Sequence, residues 1–141
     1  MIDISNKKSV TRIAKASGRI KLKEETIKRI QNNQVKKGDV FTIAKIAAIN
    51  AVKKVPDLIP LCHQIPVTSI DVEFDIENDT IIKVSCMVKS VAQTGVEMEA
   101  LTGVSVALLN IWDIVKYLEK INGQYSSTII YDIKVDEKIK K

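Results

Sequence analysis

Two alternating segments in the middle of the chain constrain its fold more than any other feature. In residues 70–77, isoleucine, valine and phenylalanine alternate with aspartate and glutamate. In residues 82–89, apolar residues alternate with lysine, serine and methionine. A period of two is typical of strands with one buried face. Because only a short turn around Asn78 and Asp79 separates the two segments, they predict an antiparallel hairpin in which acids on one strand can pair with lysines on the other.

The other elements are predicted from apolar periodicity and from helix-breaking residues. They are a short strand at 19–23, helices at 23–31, 39–54 and 96–120, and a final strand at 128–135. The order strand, helix, strand, strand, helix, strand favours an α+β fold, a ferredoxin-like sandwich with one antiparallel sheet covered by helices. A single domain, residues 1–141, is expected. Residues 1–16 are expected to form an irregular arm, and mobile ends are expected at 1–10 and 136–141.

The helix predicted at 39–54 has defined ends and one expected buried face. Asp39 is a favourable N-cap, and Pro56 is expected to stop the helix. The expected face consists of Ile43, Ile46, Ala47, Asn50 and Ala51. In the last helix the apolar face consists of Leu101, Val104, Leu108 and Ile111.

Charge and composition narrow the choice of partner. The net charge is +5 and the pI is near 9.2, so an anionic partner is expected. The basic residues are spread among acids and aromatics make up only 4%, whereas nucleic-acid-binding proteins more often combine a basic stripe with stacking aromatics. A phosphorylated small molecule is therefore favoured over nucleic acid. Few aromatics also predict a core of isoleucine, valine, leucine and alanine.

No disulfide framework, zinc site or membrane segment is predicted. Cys62 and Cys86 are too few for a framework, and a single histidine gives no zinc-binding spacing. The first residues lack the apolar core of a signal peptide, and no apolar run is long enough to cross a bilayer. A soluble cytoplasmic protein is expected.

Two loops carry candidate functional residues. In the loop Leu61-Cys62-His63, His63 is suited to acid–base chemistry or to holding a phosphate, and a structural histidine bonded to backbone explains it equally well. Cys62 is better explained by packing than as a nucleophile. Lys37 precedes Gly38 at a helix N-terminus, where backbone N–H groups and the helix dipole favour an anion. A solvated turn before a capped helix explains the same residues.

The last predicted helix carries two pairs of charged residues. Glu97 and Glu99 suit the dipole at its start and need no other role, yet the apolar neighbour Met98 indicates partial burial, and a buried carboxylate needs a partner. Asp113 and Lys116 form either an ordinary surface ion pair or a carboxylate that holds a lysine for proton transfer. In a continuous helix Glu97 and Asp113 lie about 24 Å apart. If both serve one site, a second subunit must supply one of them.

Six segments together carry a resemblance that no single one of them would support. They are IDIS (2–5), TRIAKASGRI (11–20), KGDV (37–40), DLIPLCH (57–63), TGVEMEALTGVSVALL (94–109) and WDIVK (112–116). In this order they resemble the cyclic pyranopterin monophosphate synthase family of molybdenum-cofactor biosynthesis. The resemblance runs from about residue 2 to residue 120.

The resemblance implies a fold, an assembly and a reaction. The fold would be ferredoxin-like, and the assembly a hexamer, a trimer of dimers with active sites at subunit interfaces. The reaction would convert (8S)-3′,8-cyclo-7,8-dihydroguanosine 5′-triphosphate, a cyclised dihydro-GTP, to cyclic pyranopterin monophosphate with release of pyrophosphate, as a lyase. The sequence itself shows no dedicated cluster of metal ligands, so no tightly bound cofactor is expected, although Mg²⁺ could accompany the triphosphate. Neither nucleic acid nor membrane is expected as a partner.

The resemblance also assigns roles to individual residues. Catalytic roles fall on Asp113 and Lys116, with Lys37 and His63 in support. Substrate contacts fall on Leu61, Cys62, His63, Glu97, Met98 and Glu99. We expect Lys116 to transfer protons and Asp113 to position it. Lys37 and His63 are expected to hold the triphosphate.

The sequence departs from the family at three places. Family members often have DMCK or DMVK where this chain has DIVK at residues 113–116. Trp112 stands where tyrosine is usual, and the chain ends YDIKVDEKIKK where many members carry a glycine-, lysine- and serine-rich segment, so closure over the substrate is expected to differ. An RNA-binding module, a regulatory homologue and another phosphate-releasing enzyme are alternatives. The acidic strand at 70–77 argues against RNA. Against an inactive homologue stand the retained residues Lys37, His63, Asp113 and Lys116.

Overall fold

The computed structural model describes all 141 residues of the chain. The elements are β1 (Val10–Lys21), α1 (Glu24–Gln31), α2 (Val40–Val52), α3 (Val55–Leu58), β2 (Val67–Ile76), β3 (Ile81–Ala92), α4 (Glu97–Glu119) and β4 (Ile129–Lys140). The strands form one antiparallel sheet in the order β2-β3-β1-β4. The helices α2 and α4 pack against each other and against the sheet. The predicted α+β, ferredoxin-like architecture is confirmed.

The predicted hairpin is formed by β2 and β3. They pair antiparallel, with Ile76 opposite Ile82 and Asp75 opposite Lys83. The ion pair at this end of the hairpin comes from a different strand, since Glu77 lies 2.6 Å from the guanidinium of Arg19 on β1. The hairpin is therefore confirmed. The ion pair between Glu77 and Arg19 also links its turn end to the central strand.

The central strand β1 is the largest correction to the sequence prediction. Residues 10–21 form a continuous strand, where the sequence predicts an irregular arm to residue 16 and a strand only at 19–23. β1 pairs with β3 on one side and with β4 on the other. As a result Arg12 and Ser17 are buried although they are polar. A central strand buried in this way lacks the alternation by which half-exposed strands are recognised.

The last strand is longer than predicted. β4 continues to Lys140 instead of ending at Val135, and it pairs with β1 out to Lys140 opposite Arg12. Its final residues are charged and show no apolar pattern, but backbone pairing with β1 does not require one. The predicted end at Val135 is therefore wrong. The mobility of residues 1–10 and 136–141 stays a prediction, as does the single domain.

The core is built almost entirely from aliphatic residues, as predicted. It contains 23 buried residues, all alanine, isoleucine, leucine or valine except Cys86. Two glycines allow α4 to approach the sheet closely. A Cβ on Gly18 would lie 2.8 Å from Leu108, and one on Gly103 would lie 2.7 Å from the sulfur of Cys86. Both distances are too short for carbon contacts, so any side chain at these positions would force α4 away from the sheet.

The helix α2 buries a face that overlaps the predicted one only in part, since Ala51 is buried and Ile43 packs against the core. Its buried residues are Val40, Ala44, Ala48, Ala51 and Val52. Of the predicted face, Ile46 is 56% exposed and Asn50 is also exposed. Nearly every residue of α2 is apolar, so periodicity cannot separate its faces. The alanines face inward because α2 packs closely against α4.

The ends of α2 are only partly as predicted. Asp39 caps the helix, since its side chain accepts a hydrogen bond from the backbone N–H of Thr42 at 3.0 Å. The helix ends at Val52, before Pro56, which lies in the first turn of α3. A proline fits a first turn because no helical hydrogen bond is required of its nitrogen. Pro56 therefore begins the next helix instead of ending α2.

The helix α4 is continuous over 23 residues. By length and composition it could cross a membrane, so the expectation that no apolar run is long enough is wrong. Half of its most apolar stretch is buried inside the protein, and it packs against α2, β1 and β3. These contacts identify α4 as the core helix of the fold.

Candidate active site

Three charged residues from distant parts of the chain meet near the end of α4. Asp113 Oδ1 lies 2.8 Å from Lys116 Nζ, and Asp113 Oδ2 lies 3.1 Å from Lys37 Nζ. Lys37 also donates to the backbone carbonyl of Asp113 at 2.9 Å. Asp113 and Lys116 share one side of α4 because they are three residues apart. We call these three residues the lysine–aspartate cluster.

The turn before α2 brings Lys37 to this cluster. Gly38 has a φ of +116°, a conformation that favours glycine. The backbone N–H of Lys36 donates to the Tyr117 hydroxyl at 2.9 Å, and its ammonium lies 5.7 Å from the centre of the Tyr117 ring. Both lysines of the turn thus contact α4, and Asp39 caps α2 directly after the turn.

The charges in the lysine–aspartate cluster reinforce one another. Hydrogen bonds from Lys116 and then from Lys37 lower the pKa of Asp113 below its ordinary value. The same carboxylate raises the pKa of Lys116. Near neutral pH Asp113 is therefore an anion and Lys116 an ammonium ion. Both side chains are about half exposed, so a ligand can reach them from solvent.

A second group of predicted residues surrounds a cavity at the other end of α4. The cavity has a volume of about 390 Å³ and lies between the N-terminal arm, the loop after α3 and the start of α4. All six predicted substrate contacts line it: Leu61, Cys62, His63, Glu97, Met98 and Glu99. The arm contributes Ile2, Ile4 and Lys7. A cavity of this size suits a small ligand.

The loop residues of the cavity differ in their availability for chemistry. His63 is half-buried and lines the cavity, and its imidazole makes no hydrogen bond within the chain. A purely structural histidine bonded to backbone is therefore not what the structure shows. Cys62 is also half-buried, and burial, assisted by Glu99, raises the pKa of its thiol. A thiol that keeps its proton is a poor nucleophile, which agrees with a packing role.

The pKa values of the two glutamates at the start of α4 are shifted in opposite directions. Burial by itself would raise the pKa of Glu97, but Lys138 at 2.5 Å, assisted by Arg12, holds that pKa below its ordinary value. For Glu99, burial and the neighbouring Glu97 raise the pKa of the carboxyl. Glu99 is only 3% exposed. The cavity wall therefore places an ionised carboxylate next to one that holds its proton more strongly.

The two groups do not meet within one chain. Glu97 and Asp113 lie on one continuous helix, so about 24 Å separates them along its axis. Lys37 lies beside Asp113 and Lys116, whereas His63 lines the same cavity as the two glutamates. Lys37 and His63 therefore belong to different groups. Between the groups, Leu109 of α4 is 59% exposed.

The whole length of the chain matches one protein family. A model of the MoaC family covers residues 1–140. The chain belongs to this family. Its relatives include three proteins called "Probable cyclic pyranopterin monophosphate synthase". The one from Methanococcoides burtonii is 59% identical over 142 residues, with 100% of this chain and 89% of the relative aligned. Those from Archaeoglobus fulgidus and Pyrococcus furiosus are 57% and 56% identical, with 99% and 100% of this chain and 90% of each relative aligned.

Within this MoaC-family chain, sequence reasoning missed several residues near the two groups. Lys138 lies in a charged segment with no local pattern that marks it as part of a site. Tyr125 packs its ring against Trp112, with ring centres 5.6 Å apart, and adds to the rise in the pKa of Lys116. Ile2 and Ile4 line the cavity, and two isoleucines in an otherwise polar arm were the available sequence signal.

Proposed function

We propose that the chain is a cyclic pyranopterin monophosphate synthase of molybdenum-cofactor biosynthesis. It acts as a lyase on (8S)-3′,8-cyclo-7,8-dihydroguanosine 5′-triphosphate and releases pyrophosphate. The observation that carries the proposal is the full-length identity of 59% to a relative of that printed name, together with a lysine–aspartate cluster suited to proton transfer.

In this reaction Lys116 transfers protons. Ring opening and ring closure in the substrate need several proton transfers, and a side chain held near the reacting atoms can supply them. Because Asp113 raises the pKa of Lys116, the lysine begins the cycle as an ammonium ion and acts first as a donor. Asp113 fixes its position, and Lys37 supplies a second positive charge on the same carboxylate.

The phosphate groups are held by positive charge. Lys37 and His63 bind the triphosphate and stabilise the charge that develops when a ribose hydroxyl attacks the α-phosphate. Glu97 and Glu99 would repel phosphate oxygens, so they face N–H groups of the guanine-derived ring instead. The different pKa tendencies of the two carboxyls suit such a ring, since an ionised carboxylate accepts hydrogen bonds, and a carboxyl that keeps its proton more readily can also donate one.

A complete site needs two subunits. The separation of about 24 Å between Glu97 and Asp113 along α4 is too long for one small substrate, so a neighbouring subunit brings its lysine–aspartate cluster to the cavity. Exposed apolar side chains on the helices, Ile46 and Leu109, favour such contacts. Following the family resemblance, the assembly is a hexamer, a trimer of dimers.

The proposal includes no tightly bound cofactor, no nucleic acid and no membrane. Mg²⁺ enters with the triphosphate, because this ion is usually held by substrate phosphates together with one or two carboxylates. No group of three or more metal-ligating side chains occurs in the chain. The enzyme works in the cytoplasm.

A turnover assay tests the proposal. The cyclised dihydro-GTP is supplied to the wild type and to Lys116→Ala, and pyrophosphate and pterin product are measured. We expect product from the wild type and none above background from Lys116→Ala. Lys120→Ala, one helical turn further on, is a matched control, because Lys120 is exposed and makes no ion pair, and it should retain activity. A wild type that folds but forms no product would contradict the proposed function.

A further inference from the structure

The end of β4 reaches the wall of the cavity. Lys138 lies opposite Ala14 of β1 in a backbone-paired strand, and its ammonium lies 2.5 Å from Oε1 of Glu97. Glu97 lines the cavity. An ion pair thus connects the last strand of the sheet to the first turn of α4. The backbone of β4 is hydrogen-bonded to β1, so the backbone position of Lys138 is restrained.

On its other side, the Glu97 carboxylate lies close to the backbone of Gly95. It folds back against Gly95, where an added Cβ would lie 1.9 Å from Oε2 and 2.7 Å from Cδ. Only a residue without a side chain can occupy this position while the carboxylate stays in place. The carboxylate is therefore enclosed between the glycine backbone and the Lys138 ammonium.

No other cation takes the place of Lys138. Arg12 also acts on Glu97 through its charge, but it is buried and donates to the carbonyl oxygens of Ala92 and Gln93 at 3.4 and 3.2 Å. These bonds shape the turn that leads into α4 but leave Arg12 without an ion pair to Glu97. Lys138 is the one residue that forms a salt bridge with this carboxylate.

We propose that Lys138 is a positioning residue for substrate binding, which holds the Glu97 carboxylate against Gly95 and aims it into the cavity. The inference rests on the proposed function, because it gives Glu97 a substrate to contact. It also gives the segment 136–141 a specific role, since that segment supplies part of the cavity's support. Lys138 itself need not touch the substrate.

Steady-state kinetics of three variants test the inference. Lys138→Met should raise KM about tenfold and change kcat little, because a contact made equally in the ground state and the transition state is weakened. Lys138→Arg should restore most of the lost affinity, since it keeps the charge. Lys140→Met is the matched control: it lies two residues further along β4, has no ion pair, and should match the wild type.

A double-mutant comparison separates positioning from a general structural effect. Once Glu97→Gln has removed the carboxylate, adding Lys138→Met should change KM no further, because the two residues act as a unit. Independent, additive effects on KM, or an unchanged KM in Lys138→Met, would overturn the inference while leaving the proposed function intact. Absence of product from the wild type would overturn both.

Discussion

At the scale of single residues, Asp113 is the carboxylate that holds two lysines together. It accepts charge-assisted hydrogen bonds from two lysines, and one of these comes from 76 residues earlier in the sequence. A charged hydrogen bond of this kind is stronger than a neutral one. However, all three side chains are about half exposed, and solvent screens exposed ion pairs. The ion pairs of the cluster therefore fix the positions of Lys37 and Lys116 and add little to the stability of the fold.

Replacing Asp113 by asparagine should reduce turnover without unfolding the protein. The variant keeps the size of the side chain and loses its charge, so kcat should fall about 100-fold or more, as expected when an acid–base residue is misplaced. The pH profile should change as well. Asp113 raises the pKa of Lys116, so in Asp113→Asn that pKa falls, and the alkaline loss of kcat should begin at a lower pH. A profile identical to that of the wild type would show that Lys116 is not the proton donor.

Glu99 should be a residue whose replacement stabilises the protein. Its carboxyl is buried and forms no hydrogen bond or ion pair with another residue, and burial raises its pKa. A carboxyl with a raised pKa in the folded state destabilises the fold at pH above that pKa, and this cost disappears as the pH falls. Glu99→Gln should therefore gain up to about 1 kcal/mol at pH 8 and little at pH 4, measured by urea unfolding. An equal rise in the free energy of unfolding at pH 8 and pH 4 would show that the effect does not come from the charge of Glu99.

At the scale of elements, one buried carboxylate joins three of them. Glu119, at the end of α4, is fully buried. It accepts hydrogen bonds from the backbone N–H of Lys23 at 3.2 Å, from the Thr26 hydroxyl, and from the Thr128 hydroxyl at 2.7 Å. The N-cap residue of α1, Lys23, provides no side-chain cap. Glu119 therefore caps α1 from another helix and also holds the segment that leads into β4.

Removing this charge should weaken the fold. Glu119→Gln loses three charge-assisted bonds and brings amide hydrogens toward N–H and O–H donors, so the free energy of unfolding should fall by about 2 kcal/mol or more. The melting temperature should fall by roughly 6 °C. Glu25→Gln on α1 is a suitable control, because its ion pair with Arg29 is long and exposed, and it should change stability by less than about 0.5 kcal/mol. Equal losses in the two variants would exclude the capping role.

At the scale of the whole molecule, the chain places two candidate groups at opposite ends of one helix. A straight helix of 23 residues cannot bend to bring its ends together. Association is therefore the physical route by which a cavity at one end can meet a lysine–aspartate cluster at the other. The exposed apolar residues of α2 and α4 are consistent with a surface that another subunit covers.

Mixing two inactive variants tests this arrangement. Asp113→Asn damages the lysine–aspartate cluster and His63→Ala damages the cavity, so each variant alone should have little activity. When the two are co-expressed, some interfaces combine an intact cluster from one chain with an intact cavity from the other, and activity should return. If each chain carried its own complete site, every site in the mixture would contain one defect, and activity would stay at the level of the separate variants.

What the sequence determined by itself is local. The β2–β3 hairpin, the cap at Asp39 and the long helix α4 depend on residues within a few positions of one another, and period-two or helical patterns record such interactions directly. The candidate residues could also be recognised from the sequence, because their segments resemble those of the family to which the chain belongs.

What only the tertiary structure decided depends on contacts between distant segments. The burial of β1 between β3 and β4, the face of α2 that meets α4, and the continuation of β4 to Lys140 all follow from neighbours that no local window contains. Lys37 reaches Asp113 across 76 residues, and Lys23 reaches Glu119 across 96. Such partners are chosen by packing and by the need to satisfy buried polar groups, which act on the folded chain as a whole.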